Sequence, residues 1–336
     1  MDMMMDEMRT LLHNILCYCV MSLLMAGCAA SFNSDQLQPA STMEMKVEST
    51  INGMRRTALV HLPANFDPQK AYPLVVVIHG AFSTAEIMEQ ETGFSKLADS
   101  EQFVVLYPNG MGIFGFIQHW NAGHCCGKAA SDNLDDVAFI DECIDTVVQR
   151  VKIDRKRIYV AGFSNGGMLA YRYASERSTT VSAVAALAAS VGGRATPEDP
   201  WWMPLPPKKP VPLLIVHGND DQAVPIEGGI SPEKGGKRQY LPLADSISFW
   251  LSNNGCSWAY QQKSIYDEKV LLRSWQNCAG GSEIMVYTLD DWGHRWPGPA
   301  FIESDSSLAG FDITPLIWNF FKHHGEQRIN DFLLLL

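Results

Sequence analysis

The sequence predicts an α/β domain on a mostly parallel, doubly wound sheet, entered through an N-terminal antiparallel hairpin. Three observations carry that expectation. Leu74–Ile78 is an unbroken run of five aliphatic residues, and Val211–Val216 reads Val-Pro-Leu-Leu-Ile-Val. Apolar runs without alternation suit strands buried on both faces. Segments long enough for helices separate such runs, and strands alternating with helices wind a parallel sheet through right-handed crossovers. Finally, Ile158-Tyr159-Val160 leads through Ala161 into Gly162-Phe163-Ser164-Asn165-Gly166 and then Met168-Leu169-Ala170-Tyr171, which reads as strand, sharp turn and helix.

Taken in order, Glu44–Ser49 and Met54–Leu62 flank Asn52-Gly53, a strong two-residue hairpin signal, and form the antiparallel edge. Strands follow at Leu74–Ile78, Phe103–Tyr107, Arg157–Ala161, Ser182–Leu187, Val211–Val216 and Ile284–Leu289. Helices are expected over Glu86–Ser100, Asp135–Val151, Asn165–Ser175, Leu243–Asn253 and Thr314–His323. Asp135 and Asp136 stand where a helix N-cap is wanted.

The chain has 336 residues, 46% apolar and 19% charged, enough for one large core with neither a repeat nor a second domain. Residues 1–27 read as a lipoprotein signal peptide, 28–42 as a polar tether, 43–324 as the folded domain and 325–336 as a tail. Leu11–Ala26 is an apolar stretch short for a bilayer, ending Ala26-Gly27-Cys28, so cleavage before Cys28 and its lipidation are expected. Export to a periplasmic or surface location follows, with the membrane engaged only through that lipid. Asp2, Asp6 and Glu7 spoil the positive start that such a leader needs, and Met8 would restore it. The terminal leucines are too short a run for an anchor. A net charge of −11 argues against nucleic acid as a partner.

Eight cysteines fit an oxidising compartment. Cys256 and Cys278 flank a variable-looking stretch that a bridge can staple, Cys125 and Cys126 are adjacent, and Cys143 falls inside a helix as a buried thiol.

The chemistry follows from Ser164. A serine hydroxyl needs a base to take its proton, and that base needs a carboxylate to orient it. His294, in Trp292-Gly293-His294-Arg295-Trp296, stands past the strand ending at Leu289. Asp220 and Asp221 stand past the strand ending at Val216, and as neighbours they are poorly separated by position alone. His79 and His217 precede glycines at strand ends and are expected to bond backbone; His119 and His124 precede the serine. The backbone N–H groups of Ala81 and Asn165 are expected to receive a developing oxyanion. No metal or cofactor is expected, since neither paired metal-ligand spacings nor a Gly-rich phosphate loop occurs.

Trp120-Asn121-Ala122-Gly123, Cys125-Cys126-Gly127, Asp135-Asp136-Val137-Ala138-Phe139, Gly162–Met168, His217-Gly218 through Val224-Pro225 and Gly293–Gly298 together resemble the secreted polyhydroxybutyrate depolymerase and feruloyl esterase group of α/β-hydrolases, over about Met43 to His324. That resemblance implies Ser164 as nucleophile and His294 as base. It selects Asp221, three residues before Val-Pro, as the acid. It also implies a serine esterase acting on ester substrate from polysaccharide or polyester, with feruloyl or acetyl esters favoured over hydroxybutyrate oligomers. Trp120 and Trp296 are candidates to line the substrate path. A binding lipoprotein that kept the fold without the chemistry is the reading from another class.

Overall fold

The computed structural model describes residues 41–48, 55–113, 117–234, 237–302 and 308–333. The signal segment, Cys28 and the Asn52-Gly53 turn lie outside these residues. In chain order the elements are β1 (Ser41–Glu48), β2 (Arg55–Leu62), β3 (Tyr72–Ile78), α1 (Ala85–Thr92), α2 (Phe94–Glu101) and β4 (Val104–Pro108). A short ribbon β5 (Met111–Ile113) and β6 (Ile117–His119) precedes α3 (Gly127–Ser131), α4 (Asp136–Val148), β7 (Ile153–Phe163), α5 (Asn165–Glu176) and β8 (Ala183–Leu187). The remainder comprises β9 (Gly193–Arg194), β10 (Leu213–Gly218), β11 (Gly229–Ile230), β12 (Gln239–Tyr240), α6 (Leu243–Asn253), β13 (Gln261–Ile265), β14 (Val270–Trp275), β15 (Ile284–Leu289) and α7 (Ile313–Leu333).

Ten of these strands form one sheet in the order β1-β2-β4-β3-β7-β8-β10-β15-β14-β13. The six central strands from β4 to β15 run parallel, and an antiparallel pair closes each side. Pleating divides each strand between two cores. Leu74, Val76 and Ile78 join Leu106 and Val160 beneath α4, α5 and α6. Val75 and Val77 join Val105, Tyr159 and the α1, α2 and α7 side chains on the opposite face. Helices on both faces bury the sheet, as the aliphatic runs require.

The structure departs from the sequence reading in four places. The helix expected over Glu86–Ser100 is two, broken at Gly93, whose φ of 67° turns the chain left-handed while its N–H donates to Glu89 O. The variable-looking stretch between Cys256 and Cys278, where the sequence signals no strands, forms the β13–β14 hairpin, which extends the sheet beyond β15. The last helix continues to Leu333, into the segment read as tail. Asp135 alone caps α4, accepting from Ala138 N, whereas Asp136 is fully buried. Arg56 Nη1 donates to its Oδ1 at 2.6 Å and Asn121 N donates to its Oδ2 at 2.6 Å. Cys256 and Cys278 form a disulfide at the base of the new hairpin, Cys125 and Cys126 are joined to each other, and Cys143 is a buried free thiol.

Candidate active site

Ser164 stands between the carboxyl end of β7 and the first turn of α5, at φ 54° and ψ −122°. An L-residue reaches that conformation only under strain, and the surroundings hold it there. Its N–H donates to Leu187 O at 2.8 Å, and its carbonyl accepts from Met168 N. The flanking glycines are required by close approach: a Cβ on Gly162 would strike Gly166 O, and one on Gly166 would strike the carbonyls of Ile78 and His79. Sheet and helix therefore meet too tightly for any other residue, and the hydroxyl is thrust outward.

Two further strand ends reach this hydroxyl. His294, on the loop after β15, places Nε2 2.8 Å from Ser164 Oγ and Nδ1 2.8 Å from Asp221 Oδ2. Asp221 follows β10 and is 1% exposed, while its neighbour Asp220 points to solvent. The other Asp221 oxygen accepts the N–H groups of Ala223 and Val224 at 2.9 and 2.8 Å. The carboxylate is thus fixed on one side by backbone and offers its free oxygen to the imidazole. That contact holds the ring proton on Nδ1 and leaves Nε2 to accept from the serine. The Phe163 ring, 4.9 Å from that of His294, backs it. His217 lies 3.6 Å from the same Asp221 oxygen, but burial lowers its pKa and its Nε2 bonds Val224 O at 2.8 Å. His79 is likewise internal: burial pushes it down to about 4, and it bonds Gly80 O and the Gln118 side chain.

Ser164 opens into a cavity of about 510 Å³ bordered by Ala81, Phe82, Asn165 and Met168 and by Cys125, Cys126, Arg238 and Tyr240. Ala81 and Asn165 stand beside the serine, one past β3 and one opening α5. The Asn165 side chain has a task of its own, where the sequence points only to a backbone role as oxyanion donor. Its Oδ1 accepts from Trp120 N at 2.7 Å and its Nδ2 donates to Trp120 O at 3.1 Å, pinning the loop that carries the cysteine pair.

Trp120 and Trp296 do not line this cavity. Trp120 is fully buried, its Nε1 donating to His79 O at 2.9 Å and its ring packed near Phe139. Trp296 is 2% exposed, donates to Thr314 Oγ1 and packs against Phe94. Both satisfy their N–H inside the core, which is where a large apolar ring gains most. The side chains that the sequence reading missed come from elsewhere. Strands β9, β12 and β11 form a small separate sheet over the cavity, and Arg238 leads into β12. No motif marks this wall, because it assembles from short strands and from contacts more than a hundred residues apart.

Residues 58–197 match the family described as Esterase PHB depolymerase. Feruloyl esterase B of Piromyces equi is 30% identical over 248 residues, covering 71% of this chain and 42% of that protein. A bifunctional acetylxylan esterase/xylanase of Neocallimastix patriciarum is 29% identical over 256 residues, covering 75% of this chain and 32% of that protein. The chain therefore spans less than half the length of these two curated relatives. Among solved structures, the acetyl xylan esterase from Aspergillus awamori superposes with a TM-score of 0.54 at 13% identity, over 79% of this chain and 97% of that one. At that identity the likeness speaks for the fold, which is that of the α/β-hydrolases.

Proposed function

We propose that this α/β-hydrolase, with its Esterase PHB depolymerase domain over residues 58–197, is a serine carboxyl-ester hydrolase working through an acyl-enzyme. The observation that carries the reading is the unbroken hydrogen-bond chain Ser164–His294–Asp221, whose serine borders the cavity. Ser164 Oγ bonds to the ester carbonyl carbon as its proton passes to His294 Nε2, and the ester C–O bond then breaks as that proton goes to the leaving alkoxide. Water repeats the sequence to free the acid. Asp221 orients the imidazole and stabilises its charged form. The N–H groups of Ala81 and Asn165 receive the oxyanion.

The names of the two relatives support feruloyl or acetyl esters of polysaccharide as substrates, and the name of the matching family keeps hydroxybutyrate oligomers as the second reading. The run from Leu11 to Cys28 supports export with lipid attachment. Ser164→Ala should lower kcat on a p-nitrophenyl ester by about 10⁴-fold or more with the circular dichroism spectrum unchanged. Activity remaining above about a tenth of the parent would remove the assignment. A serine-reactive fluorophosphonate that labels the parent but not Ser164→Ala excludes the non-catalytic binding protein.

A further inference from the structure

The cavity that holds Ser164 carries, among the described residues, a cluster of cations with no ion-pair partner. The chain as a whole is strongly acidic, at −11. Yet Lys237 and Arg238 both border the cavity, against one carboxylate there, Glu233. Among the described residues no carboxylate lies within ion-pair distance of Arg238 or Lys237. Arg238 Nη1 instead lies 2.8 Å from each of Cys125 Sγ and Cys126 Sγ, and the guanidinium also hydrogen-bonds the neutral Tyr240 side chain. Its Nε is buried with no hydrogen-bond partner. Disulfide sulfurs are weak acceptors, whereas a guanidinium presents five donors in a planar fork. A partly buried cation with poor acceptors loses hydration without recovering it.

The main chain that carries this guanidinium is also fixed. Arg238 O accepts from Ser231 N at 3.0 Å, and the next residue, Gln239, pairs with Arg194 in the small sheet. Cys125 Sγ, which touches Arg238, lies 3.7 Å from Asn165 Nδ2, and Asn165 directly follows Ser164. The fork therefore sits one side chain beyond the residue next to the nucleophile. A second cavity of about 400 Å³, lined by Arg194, Trp202 and His124, adjoins the first across Cys125, Gly127, Ala195 and Arg238. Arg238 stands at the junction of the two cavities.

We propose that Arg238, assisted by Lys237, is a specificity residue that binds a carboxylate on the ester substrate, so that the preferred substrates are anionic esters. This rests on the esterase reading above. Two sources share that chemistry: a uronic acid neighbouring the ester on a polysaccharide, and the free carboxyl end of a short hydroxyacid oligomer.

The test compares p-nitrophenyl hexanoate with mono-p-nitrophenyl adipate, which differ only in a terminal methyl against a carboxylate. The parent should favour the adipate in kcat/KM, and that preference should shrink as salt is raised from about 0.02 to about 0.5 M, because the contact is partly screened. Arg238→Gln should lower the adipate-to-hexanoate ratio by about tenfold, and Arg238→Lys should restore part of it. A purely structural Arg238 would depress both substrates together, so a ratio that changes by less than about threefold overturns the proposal. A parent showing neither preference nor salt dependence overturns it too, and does so without any variant. Loss of both activities in Ser164→Ala is the separate check on the esterase reading. Acetylated glucuronoxylan against its carboxyl-reduced form, and hydroxybutyrate trimer acid against its methyl ester, then identify which source the cleft accepts.

Discussion

The three strand-end loops and the wall facing them solve opposite problems. Around Ser164, His294 and Asp221 the polar atoms are spoken for: the carboxylate has two backbone N–H groups and an imidazole, and the hydroxyl has its base. At the junction of the two cavities Arg238 Nε is buried without a hydrogen-bond partner, and in the second cavity so are both ring nitrogens of His124. A completed network fixes geometry, which a proton relay needs. An incomplete one leaves donors and acceptors for something that arrives later. Saturation thus accompanies the proposed chemistry, and the unsatisfied guanidinium accompanies the proposed recognition of a carboxylate.

The contrast breaks most sharply at Asp221. Asp221→Asn should lower kcat by about 10⁴-fold with the fold retained, since the amide favours the wrong imidazole tautomer. Asp220→Asn, one residue away but exposed, should leave kcat within about twofold of the parent. Comparable losses in steady-state kinetics for the two variants would mean that the network around Asp221 is not special.

The disulfide tests how far the ordered side depends on its support. Cys256→Ser with Cys278→Ser opens the base of the β13–β14 hairpin, whose second strand pairs with the strand leading to His294. The sequence separation of 22 corresponds to about 3 kcal/mol of unfolded-state entropy. Urea unfolding should show a loss of that order, and unchanged stability would mean that the sheet edge needs no staple.

The buried histidines should reveal themselves through pH. Burial lowers His124 to about 3, with the Arg238 charge adding to the effect, and lowers His79 to about 4. Both values are depressed below 6.5, so between them and 6.5 the unfolded chain binds protons that the native one refuses. Stability is therefore full above about pH 6.5 and falls as the solution is acidified toward pH 4, by up to about 1.4 kcal/mol per pH unit for each histidine. His124→Leu should flatten the fall of Tm over this range, and an unaltered slope would assign the whole effect elsewhere.

The smallest change expected is at Asn165, the link between the two regions. Asn165→Ala leaves the buried N–H and carbonyl of Trp120 without their side-chain partners, at a cost of about 2 kcal/mol. If the asparagine only braces the cysteine-bearing loop, KM should rise more than kcat falls.

Much of this could be read from the chain, for identifiable reasons. Buried parallel strands announce themselves as runs such as Leu74–Ile78, and α6 has the bounds expected of it because its apolar residues keep helical spacing. The hairpin β13–β14 escaped notice because Gln261–Ile265 is almost wholly polar and exposed. Its turn passes through Tyr266, Asp267 and Glu268 at positive φ, with neither Asn-Gly nor Asp-Gly to signal it. Aromatic residues near strand ends were equally opaque: a loop position does not tell whether Trp120 faces a cavity or the core. Arg238 carried no signal at all, since its neighbours Cys125 and Cys126 lie over a hundred residues away. Motifs report contacts that are local in sequence, and the recognition wall is not local.

The separations within the serine–histidine–aspartate cluster have a consequence for how the molecule comes into being. Ser164 and His294 are 130 residues apart, His294 and Asp221 are 73 apart, and β15 must dock beside β10 before the histidine arrives. Such long-range parallel pairing is slow to form. The hydroxyl should therefore remain inert until the sheet is complete, and recovery of ester hydrolysis after dilution from urea should lag behind the recovery of helical signal.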